Sequence, residues 1–126
     1  MEKKYNILVA DDDPCTVKIV SMILQHAGYE VTEDPKAEMN FLSTGINPDL
    51  LLLDNQLGEK RGSSLCLDLK QNEKTKNISI ILVSGIDELK ALAKKVCADD
   101  FLNKPFSITS LLQKVESLLL KKPVPC

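Results

Sequence analysis

Residues 49–54 read Asp-Leu-Leu-Leu-Leu-Asp, four consecutive leucines running into an acid. So short an apolar run between polar ends reads as a strand buried on both faces, although periodicity alone would also allow a buried helix segment. Strands covered on both sides belong to parallel sheets flanked by helices, and in such sheets ligands bind beyond the carboxyl ends of the strands. Asp54 then stands either at the mouth of a site or at the start of an ordinary turn, where aspartate is also common. The rest of the chain weighs between the two.

Residues 5–10 (Tyr-Asn-Ile-Leu-Val-Ala) are rich in strand formers and read as strand one. Asp11, Asp12, Asp13 and Pro14 follow, an acidic cap and a proline suited to a helix start. Helix one carries Val17, Val20, Ile23, Leu24 and Ala27 at helical spacing, and Gly28 stops it. Residues 29–33 alternate and read as strand two. Asp34-Pro35 repeats the cap-and-proline signal for helix two, with Ala37, Phe41 and Leu42 inward and an end near Thr44-Gly45. After the breaker Asn47-Pro48 comes the leucine strand, strand three, then a loop over 55–63 with Gly58 and Gly62. Helix three is expected over 64–71, with Leu65, Leu69 and Cys66 inward. Strand four covers 78–83, closing on Ser84-Gly85. Helix four carries Leu89, Leu92, Ala93 and Val96. Strand five covers 100–103 before Lys104-Pro105. Helix five, capped by Ser107, carries Ile108, Leu111, Leu112, Val115, Leu118 and Leu119 and ends by Pro123.

Five strands alternating with five helices predict an α/β fold. It is a doubly wound five-stranded parallel sheet of order 2-1-3-4-5, a flavodoxin-like three-layer sandwich. One domain is expected over 1–122, with a tail over 123–126. The 126 residues suffice for one core, and 44% hydrophobic with 27% charged residues argues against disorder. A net charge of −2 gives no sign of a nucleic-acid surface. No apolar run reaches the roughly 18 residues of a membrane span, and the N-terminus does not read as a signal peptide, so a cytoplasmic protein is the default expectation. The four cysteines form no Cys-x-x-Cys pair and there is one histidine, so zinc and disulfide frameworks are both poor readings. Cys15, Cys66 and Cys97 read as small, mostly buried apolar filler, Cys126 as a terminal, exposed thiol. His26, late in helix one, suits the helix dipole rather than a ligand.

In the order 2-1-3-4-5 the switch-point crevice lies between Asp11/Asp12 and Asp54, with Ser84 and Lys104 on neighbouring strand ends. Three carboxylates in one crevice repel unless a proton or a cation sits among them. A hard divalent ion with oxygen ligands fits, and Mg²⁺ fits best, since it uses few carboxylates and leaves room for phosphate. Lys104 adds a positive charge and Ser84 a hydroxyl. Together these groups suit phosphoryl transfer, with a carboxylate as nucleophile and an acyl phosphate as product. Of the three aspartates, Asp13 is the one expected to serve only as a helix cap.

The motifs Ile-Leu-Val-Ala-Asp-Asp (7–12), Leu-Leu-Leu-Asp (51–54), Ile-Leu-Val-Ser-Gly (81–85) and Asn-Lys-Pro-Phe (103–106), in this order and spacing, resemble those of the receiver domains of two-component response regulators. The resemblance runs from about Asn6 to Leu120. It implies Asp54 as phosphoacceptor, with Mg²⁺ held by Asp12 directly, by Asp11 largely through water, by Asp54, and by the backbone carbonyl of Gln56. It implies that Ser84 and Lys104 contact the phosphoryl oxygens, that Phe101 is a switch aromatic moving with Ser84, and that the Lys104-Pro105 bond is cis. Gln56 and Ile86 occupy positions that tune acyl-phosphate lifetime in that family. Three departures stand out. Gly58 replaces a frequent proline, which suggests a looser loop. Arg61-Gly62 replaces an Asp-Gly turn, and Ser84 replaces a commoner threonine.

The function implied is a phosphorylation-dependent switch. A sensor histidine kinase or phosphotransfer protein supplies the phosphoryl group, and the face of helix four, strand five and helix five changes toward a downstream protein partner or a fused output domain. A homodimer through that face is a further expectation. The domain is expected to promote its own phosphorylation and dephosphorylation without being an enzyme acting on other substrates. No output domain follows helix five, so the chain is either a stand-alone protein or a receiver from a longer one. A haloacid-dehalogenase-like phosphatase is the enzymatic alternative, since Asp11-x-Asp13 after strand one fits its opening motif, but it would leave Asp54 idle. A flavodoxin-like binder would need a phosphate-cradling loop where three aspartates stand. A receiver-like scaffold that does not use phosphorylation is the third alternative.

Overall fold

The structure, a computed structural model, describes residues 4–36, 38–39, 43 and 47–120. Its elements are β1 (Asn6–Ala10), α1 (Pro14–His26), β2 (Glu30–Glu33), β3 (Leu50–Asp54), β4 (Gln56–Leu57), β5 (Lys60–Arg61), α2 (Gly62–Gln71), β6 (Ser79–Ser84), α3 (Leu89–Lys95), β7 (Asp100–Asn103) and α4 (Ile108–Leu119). The expected helix two, with Ala37, Phe41 and Leu42, falls largely outside the described residues, as do Pro123, Cys126 and the tail.

Five strands form one parallel sheet of order β2-β1-β3-β6-β7, the expected 2-1-3-4-5 once the small β4-β5 hairpin is set apart. All five residues of β3 and all six of β6 are buried. Alternation then sorts the leucines. Leu51 and Leu53 join Leu8, Ala10, Ile80 and Leu82 in the layer shared with α2 and α3, whose Cys66, Leu69, Leu89 and Ala93 face inward. Leu50 and Leu52 join Ile7, Val9, Ile81, Val83 and Leu102 in the opposite layer, with Val17, Val20 and Leu24 of α1 and Leu111 and Val115 of α4. The run is apolar throughout because both its faces feed a core.

The helix ends follow local chemistry. Asp13 caps α1: its carboxylate accepts from Cys15 N at 3.1 Å and from Thr16 Oγ1 at 2.8 Å, with Pro14 in the first turn. Gly28, at φ +100°, turns the chain out of α1 in a conformation that glycine adopts cheaply. Ser107 caps α4 through Ser110 N at 3.0 Å.

Several expectations are corrected. The loop over 55–63 contains the β4-β5 hairpin, and α2 starts at Gly62 rather than Ser64, with no side-chain cap to announce it. Ala27 is exposed and Ile108 is 57% exposed, because each sits at a helix end beyond the reach of the sheet. Cys15 is exposed rather than buried filler, since its place in the first turn of α1 faces solvent. Cys97 is half-buried and disulfide-bonded, which no spacing in the sequence announces. Cys66 is fully buried, as expected.

Candidate functional site

Every reactive group identified above lies at the carboxyl edge of the sheet. Asp11 and Asp12 follow β1, Asp54 ends β3, Ser84 ends β6 and Lys104 follows β7. Because β1 and β3 are neighbours, Asp11, Asp12 and Asp54 converge: one carboxylate oxygen from each lies within 4.8 Å of the others. Lys104 Nζ, arriving from the far strand, lies 2.9 Å from Asp11 Oδ2 and 3.3 Å from Asp54 Oδ2. Asp11 and Asp54 are buried, whereas Asp12 is exposed at the rim.

Burial first, and then the charge of Asp11, push Asp54 up to about 6 from the ordinary 3.8, with Lys104 pulling the other way. For Lys104, burial works against the ammonium, but its hydrogen bond to Asp11 and the charges of Asp54 and Asp11 outweigh this and raise its pKa. One lysine therefore does not balance the acids. An all-oxygen donor set with surplus negative charge matches the demands of a hard cation such as Mg²⁺.

The surrounding backbone fixes these side chains. Asp11 Oδ1 accepts from Asp13 N at 2.9 Å, and Asp54 Oδ1 accepts from Gln56 N at 3.3 Å. The buried Asn55 side chain accepts from Ser63 N at 3.0 Å, and Asn55 O accepts from Gly62 N at 2.9 Å, which ties the start of α2 to the end of β3. Ser84 Oγ accepts from Ile86 N at 3.3 Å, and Ser84 O accepts from Lys104 N at 2.9 Å, so the last residue of β6 carries the segment that delivers Lys104. The Lys104-Pro105 bond is cis. Asp13, spent on capping α1, does not join the cluster, so the Asp11-x-Asp13 pairing of the phosphatase alternative is not realised.

Gly58 is tied down rather than loose. It has φ +62° in the tight turn of the β4-β5 hairpin, and its N–H donates to Asp12 Oδ2 at 3.0 Å. A proline there could neither adopt that φ nor donate that bond. The sequence named Gly58 but not this contact. Phe101, in β7, packs half-buried against the α2–α3 layer next to Leu82, on the face of β6 that Ser84 shares.

Comparison with known proteins agrees with this geometry. Residues 7–116 match the family described as the response regulator receiver domain. The chain is 33% identical over 116 residues to the DNA-binding dual master transcriptional regulator RpaA of Synechocystis sp., covering 90% of this chain and 48% of that protein. It is also 33% identical over 116 residues to the phosphate regulon transcriptional regulatory protein PhoB of Pseudomonas aeruginosa, covering 90% and 51%. It thus spans about half the length of these curated relatives. Among solved structures, the signal receiver domain of a signal transduction histidine kinase from Syntrophus aciditrophicus superposes with a TM-score of 0.84 at 28% identity, covering 92% of this chain and 90% of that one. No helix of the described residues is long and apolar enough to cross a membrane. With the family match, the sheet order and the crevice of acids and lysine all in agreement, the chain belongs to the response regulator receiver domains, the phosphoacceptor modules of two-component signalling.

Proposed function

We propose that Asp54 is the phosphoacceptor and that a phosphohistidine of a sensor histidine kinase or phosphotransfer protein is its donor. The observation that carries this reading is the position of Lys104 Nζ, 2.9 Å from Asp11 and 3.3 Å from Asp54 beside the exposed Asp12. An Asp54 carboxylate oxygen attacks phosphorus in line, the P–N bond to imidazole breaks, and the imidazole leaves with the bonding electrons. Asp11, Asp12 and Asp54, with the Gln56 carbonyl, would hold Mg²⁺, which when bound supplies charge neutralisation at the transferring oxygens. The Lys104 ammonium and the Ser84 hydroxyl contact the phosphoryl oxygens. Asp11, held by Asp13 N and Lys104, keeps its carboxylate aimed into the crevice.

The phosphoryl group draws Ser84 toward Asp54, and Phe101 turns inward along the strand face it shares with Ser84. The face of α3, β7 and α4 thereby shifts between two populations that differ in affinity for a downstream protein or a fused output domain. The same face serves a homodimer. Gln56 and Ile86 set how long the acyl phosphate survives, and the domain acts in the cytoplasm as a signalling acceptor rather than as an enzyme on other substrates.

Intact-mass measurement after incubation with acetyl phosphate and Mg²⁺ tests the assignment. One added phosphoryl group is expected, absent from Asp54→Asn and absent without Mg²⁺. An adduct of undiminished amount on Asp54→Asn would overturn it.

A further inference from the structure

Lys114 lies on α4, in the layer opposite the one against which Phe101 packs, yet its side chain reaches around the open edge of the sheet to Phe101. β7 is that edge strand. Lys114 Nζ accepts nothing and donates twice: to Phe101 O at 2.6 Å, a carbonyl at the sheet edge, and to Asp100 Oδ1 at 3.0 Å. The same ammonium stands 4.5 Å from the centroid of the Phe101 ring, within cation–π range. Lys114 and Asp100 are each a little under one-third exposed, so the contact is only partly screened by solvent.

The three contacts differ in what they depend on. The bonds to Phe101 O and Asp100 hold whichever way the ring points, because they involve the backbone and a neighbouring side chain. The ring contact exists only while the ring stays at the edge. An interaction made in one of two states shifts the equilibrium by its own free energy. We propose that Lys114, anchored by Asp100 and Phe101 O, is a positioning residue that latches the Phe101 ring outward and so sets the resting bias of the switch. This rests on the reading of Phe101 as the switch aromatic given under Proposed function.

The test uses ¹⁹F NMR of the full chain labelled with 4-fluorophenylalanine, with Phe101→Leu assigning the Phe101 resonance. Beryllofluoride and Mg²⁺ define the inward signal. In Lys114→Met, which keeps the apolar stem and loses the charge, the inward population without beryllofluoride is expected to rise about fivefold, and Lys114→Arg restores the wild-type value. Equal resting populations in wild type and Lys114→Met, with wild type still responding to beryllofluoride, would overturn the latch alone. A Phe101 resonance in wild type that ignores beryllofluoride, while the backbone amides of Ile86 and Lys104 respond in a ¹H–¹⁵N spectrum of the same chain, would overturn the switch role of Phe101 and the latch with it. A structural role for Lys114 without a latch would lower the melting temperature of Lys114→Met while leaving the ring populations unchanged.

Discussion

Gly62 sits so close to Asp54 that a β-carbon on it would run into the Asp54 backbone carbonyl. Its own N–H donates to Asn55 O at 2.9 Å, so the first residue of α2 is pressed against the end of β3. The atoms in the way are backbone and cannot swing aside as a side-chain tip could. Gly62→Ala is therefore expected to cost about 2–3 kcal/mol and to reduce phosphorylation from acetyl phosphate by displacing Asp54. Urea unfolding beside the mass assay checks both, and an alanine variant of wild-type stability would contradict the contact.

Asp54 reverses the usual pH behaviour of an aspartate. Its pKa of about 6 in the folded protein exceeds the ordinary 3.8, so between these values the folded state holds a proton that the unfolded chain has released. The contribution of Asp54 to stability is thus present at pH 4 and declines as the pH rises through 6. Without Mg²⁺, Asp54→Asn is expected to be more stable than wild type at pH 8 by ~1 kcal/mol, once solvent screening is allowed for. The gap should close near pH 4. Urea midpoints in chelator at both pH values decide it, and a gap independent of pH would contradict the expectation.

Lys70 and Asp99 form a buried ion pair at the opposite end of the sheet, with Nζ 2.6 Å from Oδ2 and side chains 4% and 3% exposed. Lys70 also donates to Ile78 O at 2.7 Å, and Asp99 Oδ2 also accepts from Ile80 N at 2.7 Å. Removing one partner strands a buried charge. Lys70→Met is expected to destabilise by about 3–5 kcal/mol. The double variant Lys70→Met/Asp99→Asn should recover part of this, and additive losses in the cycle would rule out direct coupling.

Burial pushes the Cys66 thiol up to about 12, and its sulfur lies 3.5 Å from Val96 O. At pH 8 only about one part in ten thousand is thiolate, and that fraction is enclosed. Iodoacetamide should modify the exposed Cys15 within minutes and leave Cys66 intact until the protein unfolds. Equal labelling of both, read by peptide mass, would contradict the burial.

The leucine strand, the sheet order and Asp11, Asp12, Asp54, Ser84 and Lys104 were legible because each depends on a pattern of few residues: a doubly buried run, or a reactive group ending a strand. Asp13 was legible as a cap for the same reason, since capping is local. The β4-β5 hairpin was not, because two-residue strands carry no periodicity, and α2 begins without a capping residue. The partners of Gly58, Lys70 and Lys114 were hidden for another reason. Asp12 lies 46 residues from Gly58 and Asp99 lies 29 from Lys70, and Lys114 reaches Phe101 only by wrapping a sheet edge. Such pairs exist only once the topology brings them together. Ile108 was misjudged because a helical stripe records spacing and not where the supporting layer ends.

The order of the strands across the sheet decides how much of the fold the site depends on. Asp11 and Asp12 follow β1 and Asp54 ends its neighbour β3, whereas Lys104 follows β7, at the outer edge, which is joined to β3 only through β6. The cluster of negative charges therefore needs one strand pairing, and the lysine that offsets it needs two more. Closing the lysine–acid contact spans 93 residues, so with Lys104 in the role proposed above, the ability to accept a phosphoryl group is tied to β7 being in place at the sheet edge.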